Sequence, residues 1–169
     1  MSLPWNMPFH VRLGEVTVVS GYMKHGKTVL LTFLVMWLCW KYNLRAGIAS
    51  LEMPARKTLR NMMRQLIGQR APVQPDGQPD KALFDRGIDW LDEHTFIYDA
   101  VGVAAIKDIL DVFSYVAKRY GVRLFIIDSL MRLNVAGEDL ERQKEIMNMI
   151  SSWAILHNVH LFLVAHSKK

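Results

Sequence analysis

The stretch GYMKHGKT, Gly21 to Thr28, sets two glycines, a lysine and a hydroxyl at the G-x-x-x-x-G-K-[ST] spacing of a phosphate-cradling loop. Such a loop needs glycines where backbone N–H groups approach phosphate oxygens, a lysine to reach the β and γ oxygens, and a hydroxyl to ligate magnesium. Gly21, Gly26, Lys27 and Thr28 meet those needs. At ordinary residue frequencies the four fixed positions coincide by chance in fewer than about one chain in a hundred of this size. The whole stretch is therefore a candidate nucleotide-contacting segment. Within it, Tyr22, Met23, Lys24 and His25 fill the variable positions. Lys24 and His25 could add positive charge near a phosphate, or simply be solvated, since these positions tolerate many residues.

Three further polar residues close apolar runs: Glu52 after GIASL, Asp128 after LFII and His166 after LFLVA. In open α/β sheets ligands collect beyond the carboxyl ends of the strands, so parallel strands would aim all three at the loop. Asp128 is a candidate magnesium-holding carboxylate, with a turn-capping aspartate as the plainer alternative. Glu52 is a candidate base for a water attacking the γ-phosphate. It could equally favour the positive end of the helix that follows, and position alone leaves both readings open. His166 could hydrogen-bond the γ-phosphate or be satisfied by its neighbours. A metal site made of His157, His160 and His166 is the poorer reading, because no cysteine or carboxylate spacing completes it.

The elements that must carry these residues are legible as alternating patterns. Short β-branched runs (EVTVVS, AGIASLE, TFIYDA, VRLFIID and VHLFLVAH) alternate with helical stretches from the loop to about Asn43, from near Pro54, around Val103–Tyr120 and from about Glu138 to His157. Strands alternating with helices predict an α/β fold with a mostly parallel sheet and helices on both faces. Pro54 suits a first helical position, and Leu59, Met62, Met63, Leu66 and Ile67 repeat at helical spacing to give an amphipathic face. Arg56, Arg60 and Arg64 lie beside that stripe and read as a solvated face, with a neighbouring subunit or nucleic acid as the alternative. Residues 71–80, with three prolines and a glycine, read as a surface loop, and residues 1–13 as a lead-in.

The chain of 169 residues, 51% apolar, is one domain's worth and can bury a core. The single Cys39 excludes an internal disulfide and reads as a small core residue in a reducing compartment, hence a cytoplasmic expectation. The longest apolar run, Val29–Trp40, is too short to span a bilayer and reads as a buried helix, so no membrane partner is expected. The net charge of +5 suits a polyanionic partner but also an ordinary basic protein.

Taken in order, VRLGEVTVVSG, GYMKHGKT, IASLEMP, LFIIDSLMRL and HLFLVAHSKK resemble the RecA-type P-loop motor domain of DnaB-like hexameric replicative helicases, in the phage and organellar primase-helicase branch. The SLEMP and VAHS segments discriminate most, because the loop and the aspartate-tipped strand occur across P-loop proteins. The resemblance implies ATP and Mg2+ as cofactors, with Lys27 and Thr28 at phosphates and magnesium, and Asp128 at magnesium. It further implies Glu52 as the catalytic carboxylate and His166 as a sensor coupling nucleotide state to DNA-binding loops. Single-stranded DNA and a homo-hexameric ring are the implied partners. Family members continue past the last strand to DNA-binding loops and an arginine finger, so the expectation is a partial domain, truncated after the sensor strand and weakly active alone. Lys168 and Lys169 stand where the first DNA loop would begin. The rival readings are a P-loop kinase of a small acceptor and a non-catalytic nucleotide-binding assembly module.

Overall fold

In the computed structural model, residues 1–4, 10–22, 26–68, 80–133 and 140–166 are described, the side chain of His166 excepted. The apolar runs form strands β1 Val16–Gly21, β2 Ala46–Ser50, β3 Thr95–Tyr98, β4 Leu124–Asp128 and β5 His160–His166. Between them run helices α1 Lys27–Tyr42, α2 Ala55–Ile67, α3 Lys81–His94, α4 Ile106–Tyr120 and α5 Leu140–His157. The strands make one sheet in the order β1-β5-β4-β2-β3, and every pairing is parallel. This is the expected α/β architecture. Each parallel crossover carries helix, which covers both faces and explains why β2 and β4 are buried along their whole length.

Alternation along β4 divides the core in two. Phe125 and Ile127 pack with Ile109, Phe113, Ile150 and Trp153 of α4 and α5. Leu124 and Ile126 face the other way, toward Leu34, Val35 and Leu38 of α1, Met62 of α2 and Leu91 of α3. A period of two in the strand thus meets helices on both sides. Gly47 of β2 permits a tight contact: a Cβ there would lie 2.6 Å from Cε1 of Phe125.

Several local expectations need correction. Pro54 is the residue before α2, with φ −58° and ψ 146°, so Ala55 opens the helix. A proline's fixed φ suits this extended position as well as a first turn. The helix anticipated from Val103 starts at Ile106. Helix α3 follows the proline-rich stretch, where the sequence reading placed none; Asp80 caps it, its carboxylate accepting from the Leu83 N–H at 2.9 Å. Residues 71–79 of the anticipated surface loop lie outside the described residues. Helix α1 is buried along one side only, since Val29, Leu30 and Trp40 are exposed. In the lead-in, Leu3 and Val11 are buried, Ser2 bridges His10, and the Ser2 and Tyr42 hydroxyls lie 2.8 Å apart, so its described residues pack on α1. Among the described residues no helix is long and apolar enough to cross a membrane.

Candidate functional site

Parallel pairing brings the carboxyl ends of four strands side by side. Gly21 at the end of β1 is in register with His166 of β5, and Asp128 at the end of β4 is in register with Val164 of β5 and Ser50 of β2. Glu52 follows two residues after Ser50, in the link between β2 and α2. The sheet therefore gathers the loop, Asp128, Glu52 and the backbone of His166 at one edge. The side chain of His166 lies outside the described residues, as do Met23, Lys24, His25, Lys168 and Lys169.

Gly26 precedes α1 with φ 76° and ψ 11°, a left-handed conformation that glycine adopts without a steric penalty. Among the described residues, a Cβ there would meet nothing within 4 Å. No side chain caps α1 at Gly26 and no acidic residue stands in its first turn. The orphan N–H groups and positive dipole end of a 16-residue helix are thereby presented to an anion. Lys27 folds back over the loop, its ammonium donating to the carbonyls of Gly21 and Tyr22, each at 2.6 Å.

One helical position further, the Thr28 hydroxyl donates to Oδ2 of Asp128 at 2.5 Å. Asp128 is 2% exposed. Two hard oxygen donors side by side at the end of a phosphate loop suit Mg2+, which takes few protein ligands and otherwise keeps water and phosphate oxygens. Among the described residues no group of three or more His, Cys, Asp or Glu could hold a metal. The donor set thus fits a magnesium shared with a nucleotide better than an all-protein metal cage.

Glu52 is exposed, yet its carboxylate is tethered: Ser129 donates to Oε1 at 2.7 Å. The backbone just before it is fixed by two main-chain bonds of Leu51, whose N–H donates to the Asp128 carbonyl at 2.7 Å and whose carbonyl accepts from the Gly102 N–H at 3.0 Å. The start of α2 is held by Thr58, whose hydroxyl donates to Ser50 Oγ at 3.2 Å, and by the Ala55 N–H, which donates to Asp99 at 3.3 Å. Helix α2 is tied in turn to α1, the Gln65 amide donating to the Val29 carbonyl at 2.8 Å. Ser129 was not a sequence candidate. Its signal was its place directly after the aspartate in LFIIDS.

The remaining sequence candidates stand elsewhere. Arg56, Arg60 and Arg64 line a separate groove of about 620 Å³ between α2, α3 and β3, floored by Leu59, Met63, Ile67 and Phe84, and among the described residues no loop or strand-tip residue lines it. His157 lies 3.2 Å from Ser114 Oγ at the end of α5. His160 engages the Arg12 carbonyl at 2.7 Å and the Thr17 hydroxyl at 3.0 Å. Burial pushes both imidazoles below their ordinary value. Cys39 is buried on α1, and burial raises its thiol to about 12, as for an inert core residue.

Comparison with known proteins agrees with this geometry. A family model described as an AAA domain matches residues 1–169. A DNA helicase/primase of Enterobacteria phage T3 is 24% identical over 167 residues, covering 93% of this chain. The chain spans 29% of the length of that phage protein.

Proposed function

Because the chain belongs to the AAA-domain family of P-loop proteins across its whole length, we propose that it is the ATP-binding and ATP-hydrolysing motor core of a replicative DNA helicase. On this reading it belongs to the DnaB-like type, acts as a hexameric ring and couples Mg-ATP hydrolysis to movement along single-stranded DNA. The observation that carries the reading is the meeting of Thr28 with Asp128 at 2.5 Å, with a carboxylate, Glu52, two residues beyond the end of the adjoining strand β2. The similarity to a phage helicase/primase supports the DNA-motor part of it.

In this assignment the Gly21–Thr28 backbone and the N-terminus of α1 cradle the phosphates, and Lys27 exchanges its two loop carbonyls for β and γ oxygens. Thr28 and Asp128 hold the magnesium ion, directly or through its water shell, and the ion when bound neutralises charge developing on the phosphates. Glu52 orients the attacking water and accepts its proton as the oxygen bonds to the γ-phosphorus and the bond to the bridging β–γ oxygen breaks. His166, at the end of the strand between the loop and Asp128, reports the state of the γ-phosphate. In P-loop motors an arginine supplied in trans is worth roughly 10³ or more in rate, so the chain alone is expected to turn over slowly.

The test is ATP turnover with and without single-stranded DNA, for the wild-type chain and for Glu52→Gln. The reading expects slow hydrolysis that single-stranded DNA raises and Glu52→Gln reduces to a small residual rate. Nucleotide binding without any turnover, indifferent to DNA, would instead identify a non-catalytic module.

A further inference from the structure

We propose that Ser129 is a positioning residue for Glu52, its buried hydroxyl fixing the carboxylate in the orientation that hydrolysis requires. The inference rests on Glu52 being the group that orients and deprotonates the attacking water.

Ser129 is 0% exposed, whereas the Glu52 it bonds is exposed, so the tether runs from the rigid floor of the sheet to a mobile type of side chain at its rim. Left alone, an exposed glutamate samples many rotamers, and only a fraction of them aim an oxygen at a given water. A hydroxyl donor 2.7 Å from Oε1 selects among those rotamers. Such a bond is charge-assisted and is stronger than one between neutral groups.

The chain order makes the arrangement economical. Asp128 and Ser129 are consecutive at the tip of β4, and they reach in two directions: Asp128 to Thr28 of the phosphate loop, Ser129 to Glu52 beyond β2. The Leu51 N–H closes the second connection by donating to the Asp128 carbonyl. The tip of one strand therefore sets the spacing between the magnesium side of the site and its base. A serine serves here because its hydroxyl is short: it keeps the carboxylate close to the strand ends, and alanine removes the donor without changing the backbone or adding volume.

The experiment uses the full chain under single-turnover conditions, with enzyme in excess over ATP, and measures ATP-analogue affinity and the thermal midpoint alongside. Ser129→Ala should lower the hydrolysis rate roughly tenfold, the scale of losing one hydrogen bond to a charged group. Affinity should stay within about twofold, because the bond acts on the reacting water rather than on nucleotide binding. Ser129→Thr, which keeps the hydroxyl, should recover most of the rate. In a Glu52→Gln background, Ser129→Ala should change the residual rate by less than about twofold, since residues acting as one unit are not additive. An equal loss in both backgrounds, or an alanine variant with the wild-type rate, would overturn the role of Ser129 while leaving Glu52 as the base. A parallel loss of affinity would make Ser129 a structural residue and overturn it too. Full turnover by Glu52→Gln alone would overturn the base assignment and the positioning role together.

Discussion

The hydroxyl of Thr28 and the carboxylate of Asp128, a hundred residues apart in sequence, are hydrogen-bonded at 2.5 Å. The contact joins the first turn of α1 to the tip of β4, although β5 lies between β1 and β4 in the sheet. On the proposed function, this pair is where a nucleotide-borne magnesium ion would be held.

Removing either partner should separate nucleotide binding from its metal dependence. Thr28→Ala and Asp128→Asn should each weaken Mg-ATP binding by roughly tenfold or more and bring it close to the affinity for ATP in EDTA. Titrations with and without magnesium check this. An undiminished magnesium effect in both variants would remove the pair from the metal site.

Arg45 ties together the carboxyl ends of two helices. Its guanidinium donates to the Glu93 carbonyl of α3 at 3.1 Å and to the Tyr120 carbonyl of α4 at 2.9 Å. A cation on the negative ends of two dipoles is favourable, and both bonds are partly wet, so Arg45→Ala should cost about 1–2 kcal/mol. Urea denaturation should show that loss with nucleotide affinity unchanged.

The two tightest glycines should respond differently to alanine. At Gly47 the new Cβ would press on the ring of Phe125 at 2.6 and 2.7 Å, deep in the sheet and next to Phe113. At Gly87 of α3 it would meet Sδ of Met63 at 2.6 Å, the flexible end of a side chain that can turn aside. Gly47→Ala should therefore destabilise by about 1–3 kcal/mol, as overpacking does. Gly87→Ala should be nearly neutral, because alanine's helix propensity offsets the repacking by about 1 kcal/mol. Thermal midpoints decide, and equal losses would contradict this account of the packing.

His160 gives a pH dependence with a definite sign. Burial pushes its imidazole below the ordinary 6.5, against the opposing pull of the Arg12 carbonyl and Glu15. The folded state thus binds the proton less readily than the unfolded one. Stability is fully present above the unfolded value and is lost as pH falls through it toward the folded value. The thermal midpoint should fall on acidification below about 6.5, and His160→Gln should flatten that part of the profile. Identical slopes for both proteins below pH 6.5 would rule out His160 as the source.

The sheet and its order of elements were legible because parallel strands buried on both faces must be apolar runs, and each of the five runs became a strand. The loop was legible because left-handed backbone at Gly26 and an uncapped helix start leave little choice of residue. Helix α3 was not, since KALFDRGIDWLDEH follows a proline-rich stretch, carries a glycine and mixes charge into its apolar pattern. Ser129 escaped for a different reason. A serine after a strand-ending aspartate reads as a turn residue, and only the packing of β2 against β4 brings Glu52 within reach of it. The arginines of α2 read correctly as exposed, but that they line a groove depended on α3.

The central claim is that Gly21–Thr28 is a nucleotide site with Lys27 as its phosphate-binding cation. Equilibrium titration with a non-hydrolysable ATP analogue and magnesium, comparing the wild-type chain with Lys27→Ala, tests it most directly. The account predicts saturable binding by the wild type and a loss of roughly a hundredfold in Lys27→Ala, the cost of removing one partner of a desolvated charge pair. Equal affinity of the two proteins for the analogue would contradict it.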